Sequence, residues 1–282
     1  MIKTENLTYQ YPDGTKALNN VSIDGTKGNC IALIGENGAG KSTLMSALIG
    51  LIKPTEGKVF FKEEPLSYKK KYLYEFRKSI GLVIQESDKQ VFYSGIYDDV
   101  AFALRNMGME VDVIDQRVKA AMEATGITLL ADRPVHYLSY GQKKRVAMAG
   151  VLAVEPEIIL MDEPTLGLDP KSKAGVKAII KGALSKGIKI ILSSHDMDFI
   201  YEFCDYTYVL HHGGVLVEGE TTEVFKDTKA LETASLEQAT MTRLEQCLGI
   251  KGFRSITALE EAIRNQKKEV QADETGSSGN QS

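Results

Sequence analysis

The chain has 282 residues, 43% of them hydrophobic and 26% charged, a composition that suits one large α/β domain or one domain with a modest appendage and excludes a disordered or fibrous chain. Its 34 Lys and Arg against 38 Asp and Glu give a net charge of −4, without the basic field of a dedicated nucleic-acid binder. The longest apolar stretch, about Val146 to Val154, is too short to cross a bilayer, the opening MIKTENLTYQYP lacks the apolar core of a signal peptide, and Cys30, Cys204 and Cys247 are isolated and odd in number; the expectation is a soluble chain of the reducing cytoplasm, not built around a metal.

Along the chain, Ile2 to Tyr9 and Ala17 to Ile23 alternate apolar and polar residues around Pro12-Asp13-Gly14, which predicts two strands and a turn. Cys30 to Ile34 is a compact apolar strand that runs into a Gly-rich segment and a helical stretch, Lys41 to Leu51. Strand signals recur at Val59–Phe61, Ile80–Ile84, Ile158–Met161 and Ile188–Leu192 with helical patterns between several of them, so the core is expected to be a mostly parallel sheet with helices on its faces. Residues 86–154 carry helical periodicity instead. Ile114, Val118, Ala121 and Met122 share a helix face, with Asp112 as its expected N-cap, and the stretch reads as a helical subdomain inserted into the sheet domain. Lys69-Lys70-Lys71 reads as a solvated loop, and Gly213-Gly214 marks a hairpin whose adjacent His211 and His212 are expected in solvent. A main domain is expected over 1–226. An appendage follows over 227–268, where Thr257 and Glu260 form an expected capping box, and then a polar tail over 269–282.

Four segments carry chemistry. Gly35-Glu36-Asn37-Gly38-Ala39-Gly40-Lys41-Ser42 matches G-x-x-x-x-G-K-[ST] between a strand and a helix. The glycines let backbone N–H groups turn inward around phosphate oxygens, Lys41 can reach the β- and γ-phosphates, and Ser42 can ligate Mg²⁺. In EIILMDEPT an apolar strand delivers Asp162 and Glu163 to its carboxyl end, where open α/β sheets bind ligands. Asp162 is suited to the Mg²⁺ shell and Glu163 to polarising the water that attacks the γ-phosphate. His195 follows the strand KIILSS and should stand near Glu163. Leu138-Ser139-Tyr140-Gly141-Gln142 precedes a helix.

The order of phosphate loop, Gln85, LSYGQ, acidic strand and His195 resembles the ATP-binding subunits of ABC transporters, with LSYGQ similar to that family's LSGGQ signature. The resemblance covers residues 1 to about 226 and implies a P-loop α/β fold with a mostly parallel core sheet, an N-terminal antiparallel β subdomain, an inserted helical subdomain and a small C-terminal appendage. It implies ATP hydrolysis with Mg²⁺, in which Tyr11 stacks on adenine, Thr43 follows Ser42 at the phosphates, and Gln85 senses Mg²⁺ and joins Ser42 and Asp162 around it. His195 is the switch histidine. Ser139, Gly141 and Gln142 meet the γ-phosphate of ATP held by a second subunit, and Asp169 lies in the loop that crosses between subunits. Two chains then sandwich two ATPs head to tail. Tyr140 stands where the family has glycine.

QESDKQVFYSGIYDDVAF resembles the glutamine-loop extension of energy-coupling-factor importers, with Asp88, Gln90 and Phe92 fitting their pattern and Ser87 in place of proline. LSYGQKKRVAMAGVLA and HDMDFIYEFCD resemble their cobalt-import ATPases, and the appendage over 227–268, with ITALEEAI near its end, is similar to the extra domain these ATPases use at their dimer interface. The resemblance implies a peripheral subunit at the cytoplasmic face of the cell membrane, bound to integral-membrane transporter subunits and not to nucleic acid. Its transported substrate would be Co²⁺ or Ni²⁺, with vitamins as the alternative. The readings set against it are the ATPase of an exporter or of an ordinary importer, a soluble ABC ATPase acting on DNA or ribosomes, and a nucleotide-binding regulator without turnover. The interval from Lys41 to Ser139 holds no sustained heptads, the chain has one phosphate loop, and Glu163 and His195 are intact; these weigh in turn against the DNA-acting, the ribosome-acting and the non-hydrolysing readings.

Overall fold

The computed structural model describes residues 1–265; the tail expected over 269–282 lies outside the described residues. The chain opens with β1 (Ile2–Gln10) and β2 (Lys16–Asp24), then β3 (Cys30–Ile34), α1 (Lys41–Leu48), β4 (Glu56–Phe61), β5 (Glu64–Pro65), α2 (Lys70–Ser79) and β6 (Ile80–Val83). The helical region holds α3 (Ile96–Asn106), α4 (Val111–Ala124) and α5 (Tyr140–Ala153). The sheet resumes with β7 (Ile158–Met161), α6 (Pro170–Ser185), β8 (Lys189–Ser193), α7 (Met197–Phe203), β9 (Tyr206–His211) and β10 (Gly214–Glu220). The chain continues through α8 (Thr221–Val224), α9 (Thr228–Thr233) and α10 (Thr240–Leu248) to a helix over 256–265.

Two sheets form. The smaller is antiparallel, in the order β2-β1-β4-β5; the larger runs β10-β9-β3-β8-β7-β6 and is parallel except for the β9–β10 hairpin. Strand β3 explains the layering. All five of its residues are buried, as a parallel strand covered on both faces requires, and the pleat sends alternate side chains to opposite cores. Ile31 and Leu33 pack with Leu44 and Leu48 of α1 and with Leu7 and Leu18 of the antiparallel sheet. Cys30, Ala32 and Ile34 join Val176 and Ile180 of α6 and Phe199 of α7. Each fully buried Leu or Ile contributes about 1.5–3 kcal/mol. A third core, including Val100, Leu104, Val118 and Val146, holds the helical subdomain together.

Several local expectations are corrected. The strand at Val59–Phe61 joins the antiparallel sheet by pairing with β1. The helix expected over Lys41 to Leu51 ends at Leu48, because Gly50 takes φ 69° and its N–H turns back to Ala47. Lys70 and Lys71 open α2, with Lys69 at its cap, instead of forming a loop. The N-cap of α4 is Glu110; Asp112 sits inside the first turn, where its charge still suits the helix dipole. The final helix is capped not by Thr257 but by Ser255, whose hydroxyl accepts from the Ala258 N–H at 3.2 Å. Arg254 fastens this C-terminal part to α7 by donating to the carbonyls of Tyr201 and Cys204.

Candidate functional site

The neighbouring parallel strands β3, β8 and β7 end together, and the loops after them bring the phosphate loop, His195 and the Asp162–Glu163 pair to one edge. That edge is where open α/β sheets collect ligands. The phosphate loop leaves β3 through Gly35, where an added Cβ would lie 2.3 Å from the Leu210 carbonyl oxygen; only glycine fits there. Gly40 caps α1 at φ 102°, a left-handed conformation that glycine adopts without strain. Lys41 is buried and donates to the carbonyls of Gly35 at 2.6 Å and Glu36 at 3.0 Å. Burial lowers its pKa, while Glu163, Asp162 and Glu36 pull it back up. Asn37 and Gly38 are exposed and Ala39 is buried, its N–H turned back to Glu36. Ser42, just inside α1, is exposed. Tyr11 approaches from the β1–β2 turn, its hydroxyl 3.1 Å from Thr43 Oγ1.

Glu163 is buried, with φ at 46°, a strained left-handed conformation that clusters at functional positions. One of its carboxylate oxygens accepts the His195 N–H at 3.2 Å. The other is buried without a hydrogen-bond partner, although His195 Nε2 stands 3.4 Å away at ion-pair distance. Burial is the main reason its pKa is raised, and His195 partly offsets the shift. A carboxyl tuned upward with an orphaned oxygen has the properties of a general base. Ser193 was not legible as a site residue. It ends β8 fully buried, donates to Asp162, and receives the Glu163 N–H at 3.1 Å, so one hydroxyl fixes both acids. Serine at a strand end is too common to signal this by itself.

The signature segment is organised within its own chain. Ser139 and Gln142 form a reciprocal capping box at the start of α5, which begins at Tyr140, next to Gly141. Gly141 admits α6, since a Cβ there would lie 2.4 Å from Ser172 Oγ. Asp169 caps α6 by accepting from the Ser172 N–H and hydroxyl. Gln85 is exposed, and its carbonyl accepts from Tyr140 at 2.9 Å and from Lys144 at 2.7 Å.

Lys144 is the second residue missed. It lies fully buried on α5 and also donates to the Ile84 carbonyl at 3.2 Å. Burial lowers its pKa to about 8. Within Lys143-Lys144-Arg145 it resembles a solvated charge run, but its spacing from Gly141 and Met148 places it on the buried face. Gln90 adds a third tie: its side chain accepts from the Ile84 N–H at 3.0 Å and donates to the Leu82 carbonyl at 2.9 Å, extending the strand edge into the loop.

The ABC transporter family pattern matches residues 18–166. This chain belongs to the ABC transporter ATP-binding family. It is 49% identical, over 90% of its length and 95% of theirs, to an ABC transporter ATP-binding protein of Listeria monocytogenes. It is 41% identical to the energy-coupling factor transporter ATP-binding protein EcfA of Methanocaldococcus jannaschii, over 89% of this chain and 90% of that one. Among solved structures it is similar to cbiO1 from Clostridium perfringens, part of the ABC transporter complex cbiONQ, with TM-score 0.74, 38% identity and coverage of 88% of this chain and 95% of that one. A dimeric ATP-binding cassette in a post-hydrolysis state with ADP and Pi matches with TM-score 0.71 and 28% identity over 78% of this chain and 99% of that one.

As an ABC ATPase, the cassette binds and hydrolyses ATP, and its fold is the one expected above. The donors gathered at the sheet edge also suit Mg²⁺. Ser42, Asp162 and Gln85 carry hard oxygen donors that would suit it, Glu163 keeps an unpartnered carboxylate oxygen, and its charge reaches the buried Lys41. Among the described residues, no helix is long and apolar enough to cross a membrane.

Proposed function

We propose that this ABC ATPase powers an energy-coupling-factor importer of cobalt or nickel ions from the cytoplasmic face of the cell membrane, paired with a second ATPase subunit and docked on integral-membrane subunits. The observation that carries the docking is an aromatic cluster beside the glutamine loop. Phe92, Tyr93 and Phe102 pack on one another with centroids 4.9–5.7 Å apart, yet all three are exposed, Phe92 by 61%. Contiguous exposed aromatics mark surfaces that another protein covers. The cluster is built deliberately: buried Asp99 accepts the N–H groups of Phe92 and Tyr93 at 2.9 and 3.0 Å and holds the loop that presents them. Similarity to cbiO1, part of the ABC transporter complex cbiONQ, supports the transporter reading, and the metal-importing branch rests on the resemblance of LSYGQKKRVAMAGVLA and HDMDFIYEFCD to cobalt-import ATPases.

In this reading the phosphate-loop amides and Lys41 hold the triphosphate, and Tyr11 offers its ring to the adenine. When bound with ATP, Mg²⁺ supplies charge neutralisation at the phosphates through Ser42, Asp162 and Gln85. Glu163 takes the proton of the attacking water, and His195 supports that carboxylate and senses the γ-phosphate. Ser139, Gly141 and Gln142 present the start of α5 to the ATP of the second subunit, with Asp169 beside it. The carbonyl of Gln85, held from α5 by Tyr140 and Lys144, links that closure to the aromatic cluster.

The test is to tag the chain in its own cell, solubilise membranes gently and identify by mass spectrometry what co-purifies. A multi-spanning scaffold with a small metal-binding membrane subunit supports the proposal, and Phe92→Asp should lose both. A vitamin-binding small subunit overturns the metal assignment. Recovery only in the soluble fraction with ribosomal or DNA-associated partners overturns transport.

A further inference from the structure

The adjacent histidines of the β9–β10 hairpin do not simply face solvent. His211 Nδ1 lies 3.4 Å from Glu36 Oε1, and His212 Nδ1 lies 3.7 Å from the same oxygen. The two rings sit 3.9 Å apart between centroids. His211 Nδ1 is buried and has no hydrogen-bond partner, so a donor atom aimed at a carboxylate is left unused. One ligand atom from each of the three residues falls within 4.8 Å of the others. A tetrahedral zinc site with bonds of about 2.0–2.2 Å separates its ligands by about 3.3 Å, close to the two spacings seen here.

Contacts of the surrounding backbone fix the position of these groups. The phosphate loop touches the end of β9, where Gly35 meets the Leu210 carbonyl. The hairpin is fixed from its other side by the Asn19 N–H, which donates to the Gly213 carbonyl at 2.8 Å. His212 at φ 47° and Gly213 at φ 78° form a tight turn with two left-handed residues, which aims both imidazoles to one side. His212 is 80% exposed, leaving an entry path and an open coordination position. Sites held by rigid backbone lose little freedom when a metal arrives.

We propose that Glu36, His211 and His212 bind a divalent transition-metal ion of the Zn²⁺, Co²⁺ or Ni²⁺ class. Two imidazoles and one carboxylate suit such borderline ions, whereas Mg²⁺ and Ca²⁺ favour all-oxygen donors. The site shares no ligand with Ser42, Gln85 and Asp162. It shares one residue with the phosphate cradle, since Glu36 also offers its carbonyl to Lys41. An ion there clamps the first turn of the phosphate loop to the hairpin.

The test uses the full chain, stripped of metal and free of nucleotide, in a Cys247→Ser background because that exposed thiol could take up the same ions. Zn²⁺ is titrated by calorimetry, and Co²⁺ is followed by its visible absorption. One ion per chain is expected, with affinity reduced on the order of tenfold or more by His211→Gln and by His212→Asn. Asp162→Asn should bind as the parent does. Asparagine tolerates the left-handed turn, so His212→Asn remains informative even if His211→Gln fails to fold. Absence of saturable binding, undiminished binding in His212→Asn, or loss of binding in Asp162→Asn would overturn the site.

Discussion

Tyr140 donates its phenolic hydrogen to the Gln85 carbonyl across 2.9 Å, and Lys144, one turn further along the same helix, reaches that carbonyl at 2.7 Å. The residue that departs from the family signature is therefore occupied within its own chain, holding the root of the glutamine loop against α5. A neutral hydrogen bond of this kind contributes about 1 kcal/mol. Tyr140→Gly should change the ATPase rate mildly, by less than about tenfold, and raise amide exchange at Gln85 and Glu86. Tyr140→Phe should show the exchange effect without a cavity. Complete loss of ATPase in the phenylalanine variant would contradict this account.

Lys144 predicts a pH dependence of stability. Its pKa is about 8 in the folded chain against an ordinary 10.5, because burial penalises the ammonium. Below about pH 8 the lysine is charged in both states and the folded state carries the full cost. Between there and about 10.5 the unfolded chain binds more protons, so stability rises with pH, by about 3 kcal/mol across the window. Denaturant unfolding should show this rise in the wild type relative to Lys144→Met, which has no such proton to lose. Parallel curves for the two proteins would disprove the assignment.

Glu163→Gln should lower kcat by on the order of a hundredfold or more while ATP still binds. With ATP present, the variant should elute from a sizing column as a stable dimer. In the wild type, the acid limb of kcat/KM should be centred above the ordinary carboxylate range, since burial raises the Glu163 carboxyl and its protonated form cannot accept a proton from water. A variant that remains monomeric with unchanged phosphate release would remove Glu163 from the role of base.

Lys41→Ala should act on binding itself. Charge-assisted hydrogen bonds contribute about 1.5–3 kcal/mol, so ATP affinity should fall by about ten- to a hundredfold in equilibrium binding. Affinity equal to the wild type would contradict the phosphate-cradle reading.

Arg254→Ala should loosen the C-terminal part. The guanidinium donates to the Tyr201 and Cys204 carbonyls and lies 5.1 Å over the Tyr201 ring. Hydrogen exchange should rise over 240–265 while the phosphate-loop helix keeps its protection. Unchanged exchange there would show that the appendage is held elsewhere.

Sequence alone was enough to determine the parallel core and the candidate nucleotide residues. Cys30 to Ile34 is apolar at every position, which only a strand covered on both faces tolerates, and the glycines of the phosphate loop meet a local steric demand that their spacing already expresses. The acids after Met161 were legible for the same reason, since a buried strand must deliver its next polar residues at its end. Tertiary structure decided what distant segments share. Val59–Phe61 reads equally well as a strand of either sheet, and only pairing with β1 chose the antiparallel one. Lys144 is buried because Ile84 and Gln85 arrive to accept its protons, Ser193 matters because β7 lies beside β8, and His211 meets Glu36 because β9 pairs with β3. Local pattern records whether a side chain prefers water or core, but the partner that completes a buried polar group is set by non-local packing.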